Sequence, residues 1–226
     1  MMDKNIHQTI LQTLFTRPYI NRRELEGMLV PFNIDFQKFV SKSNEMLSSI
    51  GFELRNIKSD FDDNEYFGIC LTQEDSNASE GIGIKASVVH FFFKFIDLYI
   101  ENLKENNTST VDKAYIMQNM EESIMPNDFN DMLTQLDNLG YLHVKGNRIR
   151  IGQRGLLEFR PFFMKLASND QLQTCSICLD FLLQGYKCSK CNTYFHKRCK
   201  ESLEQNSNVC PVCGTTDKPV EYGVDT

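Results

Sequence analysis

The segment from Cys175 to Cys213 constrains this chain more than any other part of it. It reads Cys175-x2-Cys178-x9-Cys188-x2-Cys191-x4-His196-x2-Cys199-x10-Cys210-x2-Cys213, which is three C-x2-C pairs and one H-x2-C pair. Two residues between ligands let a tight turn aim both side chains at one tetrahedral zinc ion. Eight ligands fill two closed four-coordinate sites. No position is left open for a metal-bound water, so the expected cofactor is two structural Zn2+ ions rather than a hydrolytic metal. Disulfides explain the pattern less well. The amino-terminal MMDKNIHQTI lacks a basic start followed by an apolar run, so no secretory signal is expected. Regular cysteine pairs in a reducing compartment read as metal ligands.

The pairs can be shared in two ways. Sequential use assigns Cys175, Cys178, Cys188 and Cys191 to one ion and His196, Cys199, Cys210 and Cys213 to the other. Interleaved use assigns Cys175, Cys178, His196 and Cys199 to the first ion and Cys188, Cys191, Cys210 and Cys213 to the second. A module this short buries too little apolar surface to hold itself together. Interleaving staples its distant parts twice and is the favoured reading. Structural zinc contributes on the order of 10 kcal/mol to folding, so the metal-free module is expected to be unfolded.

An interleaved order of four cysteines, one histidine and three cysteines resembles both plant homeodomain fingers and variant RING domains. The first reading expects a tryptophan before the last pair, and the chain has none. A histone-tail cage would have to be built from Tyr186, Tyr194 and Phe195 instead. The RING resemblance finds C-S-I-C at 175–178 and C-P-V-C at 210–213. It implies that Ile177, Leu203 and Pro211 dock a ubiquitin-conjugating enzyme, although Ile177 and Leu203 could equally be the small core of the module. Gly214 stands where many active RING domains carry a basic residue.

The residues before the module read as two copies of one parts list. IHQTILQTLF (6–15) sets Ile6, Ile10, Leu11 and Leu14 on one helical face. Asn21 with Glu24 marks the start of a second helix, and DFQKFVSKSNEMLSSI forms a third that stops at Gly51. FELRNI and EYFGICL then read as two strands, with Phe67, Ile69 and Leu71 on one side and Cys70, a packing residue, on the other. After a polar linker at 75–83 the list repeats. KASVVHFFFKFIDLYIENLKEN is expected to be the most buried helix, Ser109 and Asp112 to form a capping box, and Pro126 to open a further helix. YLHVKGNRIRIG makes a hairpin turning on Gly146-Asn147, and Pro161 is expected to break or kink the last helix. His90 and His143 sit in apolar surroundings and read as packing residues. The expected fold is therefore α+β, mainly α. Winged helices at 1–74 and 84–168 precede a two-zinc variant RING module at 173–214 and a tail at 215–226. The connection SNDQLQ (168–173) is short enough for the module either to pack or to swing.

Charge narrows the function. The net charge is −6, residues 1–74 carry 8 Lys and Arg against 11 Asp and Glu, and residues 84–170 carry 10 against 11. Neither domain has the basic bias of an autonomous DNA binder. The exception is the second wing, where Lys145, Arg148, Arg150 and Arg154 are candidate phosphate contacts within a larger assembly or else a solvated hairpin. The longest apolar run, Val88–Ile100, is too short to cross a membrane and contains Lys94 and Asp97.

Tandem winged helices followed by a variant RING resemble the RING-like non-SMC element one family of the SMC five/six chromosome-maintenance complex. RIGQRGLLEF and LLQGYKCSKCNTYFH carry the resemblance most specifically. It implies a nuclear, chromosome-associated subunit that pairs with a MAGE-family subunit and, through it, a kleisin, in DNA repair and recombination. It also implies ubiquitin ligase activity aided by the MAGE partner. Such a ligase would have no catalytic residue: every module cysteine is committed to metal, so a charged conjugating enzyme would be oriented rather than relieved of its ubiquitin through a thioester. The alternative is an architectural subunit whose zinc module braces the MAGE-kleisin subcomplex and its DNA contact.

Overall fold

The computed structural model describes residues 4–72, 85–120, 125–204 and 209–224; the expected linker at 75–83 lies outside them. The first unit runs α1 (Lys4–Thr16), β1 (Ile20–Asn21), α2 (Arg22–Leu29), α3 (Phe36–Ser48), β2 (Phe52–Lys58) and β3 (Glu65–Leu71). Its strands lie in the order β1-β3-β2, all antiparallel. Side chains cap α2 and α3, the first of them at the Asn21 expected from sequence. The Asn21 carboxamide oxygen accepts from Glu24 N at 2.9 Å, and Asp35 accepts from Lys38 N at 2.9 Å. Ile10, Leu11, Leu14, Leu25, Leu29, Phe39 and Leu47 meet Leu54 and Phe67 in one apolar cluster. His7 is buried with them, 3.1 Å from Ser43 Oγ and with its ring 4.7 Å from that of Phe39.

The second unit repeats the order as α4 (Ala86–Asn106), β4 (Val111–Asp112), α5 (Lys113–Asn119), α6 (Pro126–Asn138), β5 (Leu142–Lys145) and β6 (Arg148–Ile151), with strands ordered β4-β6-β5. Both units are winged helices. Helix α4 is buried on most of its circumference, through Val88, Phe91, Phe92, Phe95, Ile96, Leu98, Tyr99, Ile100 and Leu103. The hairpin turns on Gly146-Asn147, with Lys145 opposite Arg148. Pro161 does break the chain, separating α7 (Gln153–Glu158) from α8 (Arg160–Ser168).

Two expectations are corrected. Asp112, not Ser109, caps α5, accepting from Ala114 N at 2.8 Å. Ser109 is instead buried and accepts from Gln184 Nε2 at 2.6 Å. His90 and His143 are exposed rather than packed, because α4 and β5 turn those positions outward. The strand β3 packs on both faces, as the placement of Cys70 opposite Phe67 implies. Phe67 belongs to the first cluster, whereas Cys70 and Ile57 enter the core of the second unit. Burial pushes the Cys70 thiol up to about 12, as expected of a packing residue.

The zinc module is docked, not swinging. After β7 (Gln173–Thr174) and β8 (Phe181–Leu182) comes a sheet of β9 (Gly185–Lys187), β10 (Tyr194–Phe195) and β11 (Val220–Tyr222), in the order β10-β9-β11, and α9 (Lys197–Glu204). The stretch at 215–226 is therefore more than a tail. Its residues 220–222 complete the sheet, and Gly223 is bound to the second unit on both sides. Gly223 N donates to Asn107 Oδ1 at 3.1 Å, and Ser109 N donates to Gly223 O at 3.1 Å. The ring of Phe163 lies 5.3 Å from that of Phe181, and Arg160 pairs with Asp180 at 3.0 Å.

Gly223 has φ +72, and a Cβ there would stand 1.9 Å from Leu183 O; Gly214 has φ +69 with nothing within 4 Å. Gly223→Ala is expected to cost about 3 kcal/mol or more, through left-handed strain plus the backbone clash, and Gly214→Ala about 1 kcal/mol, through strain alone. Urea denaturation at saturating zinc measures the difference.

Candidate metal centre

Each ligand pair is presented by a short turn. Cys175 directly follows β7, its N–H donating to Asp180 O at 2.9 Å while Leu179 N closes back on Cys175 O at 2.9 Å. Cys188 and Cys191 flank the turn in which Asn192 N donates to Cys188 O at 3.2 Å. Cys210 and Cys213 sit in a similar turn closed by Gly214 N on Cys210 O at 2.9 Å. His196 and Cys199 lie at the start of α9. The fold brings these pairs together in the interleaved arrangement. Cys175, Cys178, His196 and Cys199 form one group and Cys188, Cys191, Cys210 and Cys213 the other, with the donor atoms of each group within 4.8 Å of one another.

The spacing fits zinc. Four sulfurs about 2.3 Å from a tetrahedral centre stand about 3.8 Å apart. Cys188 Sγ is 3.7 Å from Cys213 Sγ, and Cys191 Sγ is 3.8 Å from Cys210 Sγ. In the first group His196 Nδ1 is 3.2 Å from Cys178 Sγ and 3.7 Å from Cys199 Sγ, so Nδ1 is the ligating nitrogen. The electrostatics call for a cation. Burial would raise the Cys175 thiol, but hydrogen bonds from His196 and from backbone N–H groups outweigh it and bring it down to about 6. Burial and the neighbouring Cys175 and Cys178 sulfurs push Cys199 up to about 12. A hydrogen bond from Thr193 brings Cys191 down to about 6. Adjacent thiolates repel, and a dication at the centre of each group turns that repulsion into attraction. The two groups are thus each positioned to hold one metal ion.

Beyond the ligands stands a residue that the sequence did not single out. Asp60, in the turn between β2 and β3, places Oδ1 3.3 Å from His196 Nε2 and 2.6 Å from Arg198 Nη1. Its Oδ2 accepts from Leu183 N at 2.9 Å and Gln184 N at 3.4 Å. The sequence offers little signal for it: three aspartates in SDFDDN, a composition that any polar turn between strands can have.

The remaining expected sites fare differently. Pro211 is exposed and Ile177 is half-buried against the main core. Leu203 lies on α9, and its side chain falls outside the described residues. The four basic residues of the second wing do not share a face. Lys145 and Arg148 are exposed, but Arg150 stacks on the Phe61 ring at 4.1 Å, and burial pulls its pKa below the ordinary value. Arg154 pairs with Glu158 at 2.7 Å and stacks on Tyr141 at 4.5 Å. Arg150 is therefore an inward contact of the hairpin with the first winged helix, and Arg154 is occupied within its own unit. Nor do Tyr186, Tyr194 and Phe195 form a cage. Phe195 is buried, and Tyr194 packs edge-on against Tyr222 at 4.9 Å. Among the described residues no helix is long and apolar enough to cross a membrane.

Comparison with known proteins places these features. The family model described as "Phorbol esters/diacylglycerol binding domain (C1 domain)" matches residues 162–215, which span both metal groups. The chain is 24% identical over 178 residues to the Drosophila melanogaster "Non-structural maintenance of chromosomes element 1 homolog", covering 77% of this chain and 74% of that protein. A chain of the solved "Nse1-Nse3-Nse4 complex" has the same fold, with a TM-score of 0.76 at 14% identity over 99% of both chains. The resemblance carried by the winged helices and the ligand order is borne out on both counts.

Two zinc ions per chain are expected by atomic absorption. A Cys188→Ser plus Cys210→Ser chain should keep one ion, whereas Cys188→Ser plus Cys175→Ser should lose both; sequential pairing demands the reverse. Acidification should release both ions, because the ligands bind only when deprotonated and protons compete increasingly as pH falls.

Proposed function

We propose that this chain, a relative of non-SMC element one, is a nuclear, chromosome-associated subunit of an SMC five/six complex and acts there as a partner-aided RING-type ubiquitin ligase. Its partners on this reading are a MAGE-family subunit, a kleisin and a ubiquitin-conjugating enzyme. One observation carries the ligase reading. The first and last ligand turns of an interleaved two-metal module expose apolar side chains, namely Leu179 (68%) and Val212 (56%) beside Ile177 and Pro211. Isolated exposed apolar residues are common. Here they stand beside Ile177 and Pro211, the positions at which the RING resemblance puts docking of a conjugating enzyme, on turns whose shape the metal fixes.

The chemistry follows from what the module lacks. Each of its cysteines belongs to a metal group, and Cys70 is buried in another domain with its thiol held protonated. No thiolate is free to take ubiquitin. The module would supply orientation alone, holding the charged enzyme so that an acceptor amine meets the thioester; pre-positioning of this kind is worth several kcal/mol of barrier. Gly214 stands where many active RING domains carry a basic residue, consistent with a need for the MAGE partner.

The architectural reading rests on a different observation, the anchoring of the module to both winged helices through Asp60, Asp180, Ser109 and Gly223. On that reading Lys145 and Arg148 are the residues left to meet phosphate within the assembly. Their alanine variants should weaken DNA binding by the assembly alike for all sequences and lower its salt dependence.

Discharge of ubiquitin from a charged conjugating enzyme to free lysine, with and without the MAGE partner, separates the two readings. The ligase reading expects partner-dependent discharge, lowered at least about tenfold in Pro211→Ala and Val212→Asp chains that still hold two zinc ions; a tenfold loss is about 1.4 kcal/mol of docking. No discharge across a broad panel of conjugating enzymes leaves the architectural reading.

A further inference from the structure

The two metal groups differ in what surrounds them. Around the second, the hydrogen bonds stay within the module: Cys188 N to Thr193 O at 2.8 Å, Cys191 Sγ to Thr193 Oγ1 at 2.9 Å, and Cys210 N to Thr215 O at 2.7 Å. The first reaches out of it. His196 presents Nδ1 to Cys178 and Cys199, and its far nitrogen, Nε2, faces Phe181 O at 3.0 Å and Asp60 Oδ1 at 3.3 Å. Phe181 belongs to the module, whereas Asp60 lies 136 residues before the histidine, in the wing of the first winged helix.

Asp60 is no surface ion. Its side chain is 6% exposed, and its two oxygens accept from Arg198, Leu183 and Gln184 as well as facing His196. A buried carboxylate is tolerated only when it is met by donors on several sides, and here every such donor comes from the zinc module. The same wing reaches the second winged helix through the two residues that flank Asp60. Ser59 Oγ accepts from Gln153 Nε2 at 3.2 Å, and the Phe61 ring carries Arg150.

We propose that Asp60 is a positioning residue for the first metal site, so that occupancy of this site and docking of the first winged helix on the module are one coupled equilibrium. A ligating histidine is commonly oriented by a carboxylate or carbonyl on its other nitrogen, and loss of that partner costs 10–100-fold in metal affinity. Coupling of this kind is reciprocal. Metal in the first site holds His196 and the start of α9, with Arg198, in the arrangement that receives Asp60. Asp60 in turn raises the affinity of that site. The second site is indifferent to both, so zinc bound 136 residues away in sequence sets the angle between a winged helix and the module. The inference holds whether or not the module is a ligase.

The test uses the full chain and zinc itself, titrated against a chromophoric chelator, with cobalt spectra distinguishing the three-sulfur from the four-sulfur site. Asp60→Ala is expected to lower affinity at the three-sulfur site 10–100-fold and leave the four-sulfur site unchanged. Asp60→Asn keeps an oxygen for the backbone donors of Leu183 and Gln184 and guards against simple misfolding; it should shift the same site in the same direction, by less. Hydrogen exchange supplies the reciprocal reading: protection at 59–64 should fall in Cys178→Ser and stay in Cys213→Ser. Unchanged affinity in Asp60→Asn and Asp60→Ala, an equal fall at both sites, or equal loss of protection in the two cysteine variants would each overturn the proposal.

Discussion

A single buried carboxylate joins the first winged helix to the zinc module, and the residues on either side of it, Ser59 and Phe61, reach the second winged helix. Asp60 accepts from Leu183 N, Gln184 N and Arg198 Nη1 and faces the imidazole of a metal-binding histidine. Taking a carboxylate out of water costs several kcal/mol unless donors replace the lost hydration. The wing is therefore held where those donors are, and the donors are held where the metal and its strands put them. Removing any one of the three leaves a buried charge under-satisfied. The relative placement of domains in this chain is consequently set by polar satisfaction at one point and by apolar burial elsewhere.

That burial is unusual for a hairpin. Strands β2 and β3 face their own unit through Leu54 and Phe67 and the second unit through Ile57 and Cys70. Arg55 extends the contact, donating to Leu157 O and Glu158 O at 2.9 Å each. Gly68 lets the backbones approach, since a Cβ there would stand 3.0 Å from Pro18 O and 3.2 Å from Leu157 Cδ1. Two winged helices that share a hairpin in this way cannot separate without exposing both cores. The consequence for function is that the first wing, and half of the basic residues of the second, are spent on contacts within the chain. Of the candidate contact residues, Lys145 and Arg148 and the apolar turns of the zinc module stay outward.

The local features were legible because each depends on near neighbours. Asn21 caps a helix by bonding a residue three places on, and Pro161 breaks a helix by its own ring. The interleaved ligand order follows from the need to staple a module too small to fold on apolar burial. The misreadings share the opposite property. Ser109 looked like a cap because Asp112 lies three residues on, yet its hydroxyl serves Gln184, 75 residues away. Arg150 and Arg154 looked like phosphate contacts because they cluster in sequence, but Arg150 lies over Phe61 and Arg154 over Tyr141.

By itself, then, the sequence determined the two tetrahedral metal groups and the repeated winged-helix order, which rest on spacing and periodicity over a few tens of residues, while the family likeness rests on resemblance in stretches such as RIGQRGLLEF and LLQGYKCSKCNTYFH. Only the tertiary structure decided that the wing of the first unit reaches the first metal group, that residues 220–222 close the module sheet, and that two of four basic residues are occupied within the chain. The physical reason is range. Caps, turns and ligand pairs are settled by side chains that meet within one turn of chain, whereas Asp60 and His196 meet only because buried charges and shared cores must be satisfied across the whole fold.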